Sequence, residues 1–289
     1  MEVIPNLLRG HARTMALSLG LLPKVLREPL GLSYLLARAS DTIADCGTLA
    51  AGERVALLQS IQAALAESTY ESLPPVNVSE AFTAAERGLL DALPRLLALL
   101  AESAERDELV CLWGEILEGQ LFDLLRVTPG SAPLDHAELE RYCDLVAGSV
   151  GRCWTRLIAR YFPAGLRAPV DELLPLASCY GKGLQLLNIV RDREGDRAIG
   201  RQYIAEAAIA EHLERTRAWL ASGDRYLQAL SPGRILMASA LPLDLARATL
   251  PLVASAPPGE RAKLPRHRVR MILVGGAVSL VLPRRPDPV

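Results

Sequence analysis

The chain has 289 residues, half of them hydrophobic and only 4% aromatic, with a formal net charge of -1. That length buries a large core, and the near-neutral balance argues against nucleic acid as the main partner, because phosphate-binding proteins carry a basic excess. Leu and Ala dominate while β-branched and aromatic alternation is scarce, which predicts an all-α fold. The five cysteines (Cys46, Cys111, Cys143, Cys153, Cys179) are scattered and lack a C-x-x-C pair, so reduced, mostly buried thiols are expected, without a disulfide framework or a zinc site. Residues 1 to 30 lack the pattern of a signal peptide.

A first helix is expected from near Pro29, a residue suited to a first helical turn, and it carries YLLARASDTIAD, Tyr34 to Asp45. Helical periodicity returns at Val55 to Leu65, and the stretch from Ser68 to Ser79, with Pro74 and Pro75, reads as a loop. Residues 80 to 101 form the next helical segment, with a kink expected at Pro94. Leu109 to Arg126 is a long amphipathic helix whose polar members Glu115, Glu118, Gln120 and Asp123 face either inward or solvent. Asp135 with Glu138 gives a capping box.

Tyr142 to Gly151 crowds Ala147, Gly148, Ser149 and Gly151 into a helix interior, although glycine there costs up to about 1 kcal/mol. The pattern fits a tight helix crossing or a smooth channel wall. A second long helix carries QLLNIVRDREGD, Gln185 to Asp196, and Gly200-Arg201-Gln202-Tyr203 follows it. Residues 204 to 230 and 234 to 254 read as two more helices, split by Pro232-Gly233. After a linker at 255 to 260 comes a basic run (Arg261, Lys263, Arg266, His267, Arg268, Arg270). It leads into twelve apolar residues, Met271 to Leu282, too short to span a bilayer. That last run is either a buried helix or an interfacial membrane contact. No repeat and no composition shift marks a boundary, so residues 1–289 are expected to be one domain.

Two stretches share a logic. Tyr34, Arg38, Asp41 and Asp45 fall at i, i+4, i+7 and i+11, and Gln185, Asn188, Asp192 and Asp196 at i, i+3, i+7 and i+11. On a helix each set occupies one face. The intervening residues are largely Leu, Ile, Val and Ala, and buried carboxylates cost several kcal/mol unless paired or metal-bound. Carboxylates four apart suit a hard divalent cation, and Mg2+ takes few carboxylates plus water and phosphate oxygens. Arg38, Arg191 and Arg201 lie beside the aspartates and offer forks matched to phosphate. A metal–diphosphate centre that ionises a carbon–oxygen bond follows. The four-helix di-iron alternative needs Glu-x-x-His pairs, and none of the four histidines has Glu three residues before it.

These residues resemble the squalene and phytoene synthase family, the head-to-head isoprenoid diphosphate synthases. DTIAD resembles the first aspartate-rich motif, and Gln185, Asn188, Arg191, Asp192 and Asp196 the second. Tyr142 to Gly151 resembles the Tyr-Cys-x-x-Val-Ala-Gly-x-Val-Gly block, and Gly200 to Tyr203 the Gly-Arg-x-Tyr/Phe block. Lys263 to Arg266 resembles Lys-x-Ser/Pro-Arg. His11 to Met15 resembles a His-Ser-Lys/Arg-Ser-Phe block, departing at Ala12, Thr14 and Met15, and Ala44 and Cys46 flank Asp45 where relatives often carry Glu-Asp-Asp.

The resemblance implies a single-domain all-α isoprenoid synthase fold, helices around a central apolar cavity. It implies a Mg2+-dependent prenyltransferase that condenses two farnesyl diphosphates through a cyclopropyl diphosphate, presqualene diphosphate, then reduces it with NADPH to squalene. Phytoene or dehydrosqualene formation without reduction, from geranylgeranyl or farnesyl diphosphate, is the alternative, and a non-catalytic prenyl-diphosphate-binding paralogue a further one. By the resemblance Asp41, Asp45, Asp192 and Asp196 hold metal, and Arg13, Arg38, Arg191, Lys263 and Arg266 hold diphosphate. Tyr34, Gln185 and Asn188 contact diphosphate or the metal shell, and Tyr142, with Arg38 and Arg191, acts at the reacting groups. The wording around both motifs is closer to bacterial squalene synthases. A cytoplasmic protein peripheral at the inner membrane, monomeric or weakly dimeric and without a nucleic-acid partner, is expected.

Overall fold

The computed structural model describes residues 3–11, 14–69, 82–257 and 260–275. Among these residues there is no strand. The extended chain makes one isolated bridge, Leu166 with Leu230. Cα proximity divides the chain into two units, Met1–Ala16 with Arg27–Arg126, and Leu17–Leu26 with Val127–Val289.

The first unit holds α1 (Val3–His11), the start of α2 (Thr14–Leu21), most of α3 (Lys24–Ala44), α4 (Ala51–Glu67), α5 (Ala84–Asp91), α6 (Leu93–Glu102) and α7 (Arg106–Arg126). Leu35, Leu36, Ala39 and Ile43 of α3 are fully buried, as are Leu58 of α4 and Trp113 and Leu117 of α7. Each such Leu or Ile contributes about 1.5–3 kcal/mol of burial. Trp113 Nε1 donates to Ser40 Oγ at 3.2 Å, joining α7 to α3. α3 begins at Lys24, five residues before the expected start, because Pro23 opens its first turn by accepting from the Leu26 N–H. Pro29 therefore lies inside the helix and removes one backbone bond. Leu26 and Leu30, both buried, flank it. Pro94 does more than kink its segment. The helix breaks at Ala92, and Pro94 sits in the first turn of α6, where its missing N–H is harmless.

In the second unit α10 (Val170–Ala198) is the hub. It packs against α8 (His136–Cys143), a π-helical turn (Asp144–Gly148), α9 (Ser149–Tyr161), α11 (Ile209–Gln228) and α12 (Arg234–Ser255). The capping box at Asp135 forms as expected, the Asp135 carboxylate accepting from the Glu138 N–H at 2.8 Å. The crowd of small residues resolves into a tight crossing. A Cβ added at Gly151 would lie 2.2 Å from the Ala177 carbonyl oxygen, and one at Gly181 would lie 2.2 Å from that of Ala147. The expected single helix is interrupted there by the π turn. Asp144, in that turn, accepts from Arg152 Nη1 at 2.7 Å and also from Ser178 Oγ of α10.

α12 is long and apolar enough to cross a membrane, and half of its apolar 18-residue stretch is buried within the protein. α13 (Arg266–Gly275) closes the described chain. It corrects the expectation of a buried last helix over its own length. None of its residues is buried, and Met271 and Val274 are 63% and 75% exposed, because only Val269, Ile272 and Leu273 turn toward the protein. Residues 276–282 of that apolar run lie outside the described residues. All five cysteines are free thiols.

Candidate functional site

The two acidic stripes lie in different units and are taken one at a time. On α3 the apolar positions point into the core, leaving Tyr34, Ala37, Arg38 and Asp41 half-buried along one face. Asp45 lies one residue past the helix end and is exposed, yet an Asp45 N–H bond to the Asp41 carbonyl at 2.9 Å keeps the helical register between the two acids. Arg38 Nη1 bonds the Asp41 carboxylate. Burial raises the Tyr34 phenol, with Arg38 acting against the rise and Asp41 adding to it, so Tyr34 is a neutral hydroxyl donor at ordinary pH.

α7 adds to this face. Gln120 and Asp123 are 8% and 6% exposed, and Glu115 and Glu118 are half-buried, so the polar side of α7 is not a solvent face. Gln120 Nε2 reaches the Ala37 carbonyl at 3.4 Å. Its Oε1 is buried without a hydrogen-bond partner.

On α10 the division repeats. Leu186, Leu187, Ile189 and Val190 are buried, and Gln185, Asn188, Arg191, Asp192 and Asp196 are half-buried on the opposite side. Arg191 grips Asp192 in a bidentate fork, Nε to Oδ1 at 2.9 Å and Nη2 to Oδ2 at 2.7 Å. Arg261 donates from Nε to the same Oδ1 at 2.7 Å. Burial alone would raise the Asp192 carboxyl, but the hydrogen bonds and charges of Arg191 and Arg261 outweigh it and hold the group below the usual carboxylate range. Asp192 is thus ionised at any pH near neutral. Arg261 belonged to the basic run in the sequence, but nothing in its spacing distinguished it from Lys263 and Arg266, which are exposed.

The Tyr142 to Gly151 and Gly200 to Tyr203 blocks meet on the same unit. The Asp196 carbonyl accepts from the Arg201 N–H at 2.8 Å, so the chain turns tightly from the α10 end into Gly200–Tyr203, with Gly200 at φ +81. Tyr203 then stacks on Tyr142, ring centroids 5.5 Å apart at 22°. A stacked pair of a buried Tyr203 and a half-buried Tyr142 therefore links the Tyr142 block to the second aspartate segment. Arg13 lies outside the described residues.

The second unit also holds a cleft of about 740 Å³, lined by residues of α8, the π turn, α9 and α10. It contains none of the stripe residues. Its three basic residues, Arg141, Arg152 and Lys182, are balanced by Glu140, Asp144 and Asp171, with Arg152 paired to Asp144 and Lys182 to Glu140 at 2.6 Å. It supplies no excess charge for a diphosphate, and the α10 stripe remains the better candidate.

Among the described residues no three metal-ligating side chains gather at one point. Each stripe instead offers two carboxylates one helical turn apart, the first of them bonded to a guanidinium. That oxygen-only donor set fits Mg2+, which binds through one or two carboxylates and completes its shell with water and substrate phosphate.

The sequence profile described as squalene/phytoene synthase matches residues 8–207. The presqualene diphosphate synthase of Rhodopseudomonas palustris is 31% identical over 184 residues, 64% of this chain and 55% of that protein. The bifunctional lycopene cyclase/phytoene synthase of Phaeosphaeria nodorum is 29% identical over 199 residues, 68% of this chain and 32% of that protein. The chain thus spans about a third to just over half the length of these relatives. A solved dehydrosqualene synthase in complex with ligand superposes with a TM-score of 0.69 at 18% identity, covering 96% of this chain and 95% of that one. The fold is the all-α fold of these synthases, and the chain belongs to the squalene/phytoene synthase family.

Proposed function

We propose that this protein is a head-to-head prenyl diphosphate synthase of the squalene synthase type, with farnesyl diphosphate as substrate. The observation that carries the reading is the repeated stripe, in which an apolar helix presents two aspartates a turn apart with arginine locked to the first of them. In this reading Asp41, Asp45, Asp192 and Asp196 hold Mg2+, which when bound neutralises the leaving diphosphate and lowers the barrier to carbon–oxygen ionisation. Arg38, Arg191 and Arg261 release their aspartates and turn to diphosphate oxygens, joined by Lys263, Arg266 and Arg13. Tyr34 donates a hydroxyl hydrogen bond to the diphosphate, and Gln185 and Asn188 orient it from α10. The Tyr142 ring, fixed by its stack on Tyr203, faces the reacting groups. With aromatics at 4% of the chain, exclusion of water by aliphatic side chains carries most of the protection of a carbocation.

The condensation joins the two farnesyl chains as presqualene diphosphate, with loss of one diphosphate and, on ring closure, of one proton from the acceptor chain. Squalene follows when the second diphosphate leaves and NADPH, as a co-substrate, delivers hydride. The relatives named presqualene diphosphate synthase and squalene synthase favour this outcome. Proton loss in place of hydride gives dehydrosqualene, or phytoene from geranylgeranyl diphosphate. The relative named phytoene synthase and the dehydrosqualene synthase fold neighbour favour that second reading. The protein is proposed to work in the cytoplasm at the inner membrane, as a monomer or weak dimer.

The test is incubation of the purified protein with farnesyl diphosphate and Mg2+, with and without NADPH, and mass spectrometry of the extracted lipids. Squalene that requires NADPH is the expected result. Dehydrosqualene irrespective of NADPH selects the second reading. No product from farnesyl or geranylgeranyl diphosphate overturns both.

A further inference from the structure

Beyond its first residue, Arg266, α13 has no explanation in the chemistry above. Its sequence, RHRVRMILVG, sets three arginines and a histidine before a run of apolar residues. From Arg261 to Gly275 there are five Lys and Arg and no Asp or Glu, in a chain whose total charge is -1. Few large apolar side chains are strongly exposed among the described residues. Two of them, Met271 at 63% and Val274 at 75%, are on this helix.

Their placement is ordered. At about 100° per residue, Met271 and Val274 lie about 60° apart, with Arg270 about 40° beyond Val274 and Arg268 about 60° beyond Met271. Val269, Ile272 and Leu273, the half-buried residues, occupy the other side. His267, also exposed, falls between Met271 and Val274 on this wheel, so the outward face is two apolar side chains and a histidine set between two arginines. Isolated exposed apolar residues need no explanation. An apolar ridge with flanking cations and no acid is the pattern of a helix lying in a bilayer interface, its aliphatic side chains in the acyl boundary and its arginines reaching to phosphates.

We infer that the outward face of α13 docks on an anionic phospholipid surface. This deepens the proposed membrane-side location and stands apart from the reaction itself. The occupant is a bilayer because the charge excess is met by phosphate headgroups, while the ridge is only two residues wide. The fold ties the helix to the α10 stripe. Arg261 bonds Asp192, and α13 starts five residues later, so the extended chain limits the separation to about 18 Å. A prenyl diphosphate dissolved in the bilayer would meet its diphosphate ligands close to the headgroup level.

The experiment is co-sedimentation of the full chain with vesicles of phosphatidylglycerol and phosphatidylcholine at 3:7, and of phosphatidylcholine alone, without substrate or Mg2+. The wild type is expected to bind the anionic vesicles preferentially. An arginine near an anionic surface contributes about 1 kcal/mol, so the double variant Arg268→Gln/Arg270→Gln should bind roughly 30-fold more weakly. Arg268→Lys/Arg270→Lys should retain binding, and Met271→Ser/Val274→Ser should lose it. These residues are exposed, so melting temperatures should stay within about 1 °C, and turnover of detergent-dispersed farnesyl diphosphate should not change. Equal binding to neutral vesicles, or unchanged binding in both the Gln and the Ser variants, overturns the inference. Vesicle binding in a protein that forms no product leaves it standing while the synthase reading fails.

Discussion

Two glycines on α10 should respond to alanine with opposite signs. At Gly181 a new Cβ would lie 2.2 Å from the Ala147 carbonyl oxygen and 2.7 Å from its carbon. Both are backbone atoms of the π turn, so no side chain can rotate away, and the two segments must separate by about 1 Å. Overpacking of this kind costs about 3 kcal/mol at the upper end of its usual range. Alanine's better helix propensity returns about 1 kcal/mol, leaving a net loss of about 2 kcal/mol. With an unfolding entropy of about 2.1 cal/mol/K per residue, the chain loses about 3 °C in Tm. At Gly195, in the same helix, nothing lies within 4 Å and the residue is exposed. There only propensity acts, and Tm should rise by about 1 °C. Thermal unfolding followed by circular dichroism, with both variants and the wild type in one buffer, reads the difference. Gly181→Ala melting at or above the wild type would refute the claim that α10 and the π turn meet backbone to backbone.

Other consequences are sharper in pH or in a single contact. The folded Asp192 carboxyl is held low, so its contribution to stability is complete above the unfolded value of about 3.9 and disappears as pH falls through the lower folded value. Asp192→Asn should therefore flatten the acid limb of a stability–pH curve in that window, as measured by urea unfolding. His212 is 4% exposed, and burial, with Arg215 and His136 adding and Glu211 opposing, holds its imidazole below the usual value. Stability is then full above about pH 6.5 and declines as pH falls from there through the folded value, a decline that His212→Leu should remove. Asp144→Asn leaves Arg152 with a weaker partner on the π turn. It should cost about 1–2 kcal/mol, a value discounted for partly exposed groups, and urea unfolding of the variant measures it.

The helical character of this chain and its two acidic stripes were legible because both rest on periodicity. Leu, Ile and Ala at core positions of Leu35–Ile43 and Leu186–Val190 fix which face turns outward, and the aspartates then follow by register. Helix ends were less legible. Pro29 carries the same local signal as Pro23, and only the buried residues around it show which one opens the helix. The π turn at Asp144–Gly148 left no mark, since small residues fit an α-helix and the extra backbone residue is set by the approach of α10. Arg261 was hidden within a run of similar charges, and its role rests on a contact 69 residues away in sequence. The exposure of α13 was open to two readings, because an apolar run says nothing of what covers it. Gln120 and Asp123 were marked as polar positions, but the inward direction of α7 required its packing partners.

The central claim is that the aspartates of α3 and α10 serve one ionisation step. Its most direct test is diphosphate release from farnesyl diphosphate and Mg2+ by Asp41→Asn, Asp192→Asn and the double variant, with folding checked by circular dichroism. If the two stripes act as a unit, each single change should lower kcat by about 100-fold or more, and the double should be no slower than the slower single. Either single variant turning over at close to the wild-type rate, or the two losses multiplying in the double variant, would contradict it.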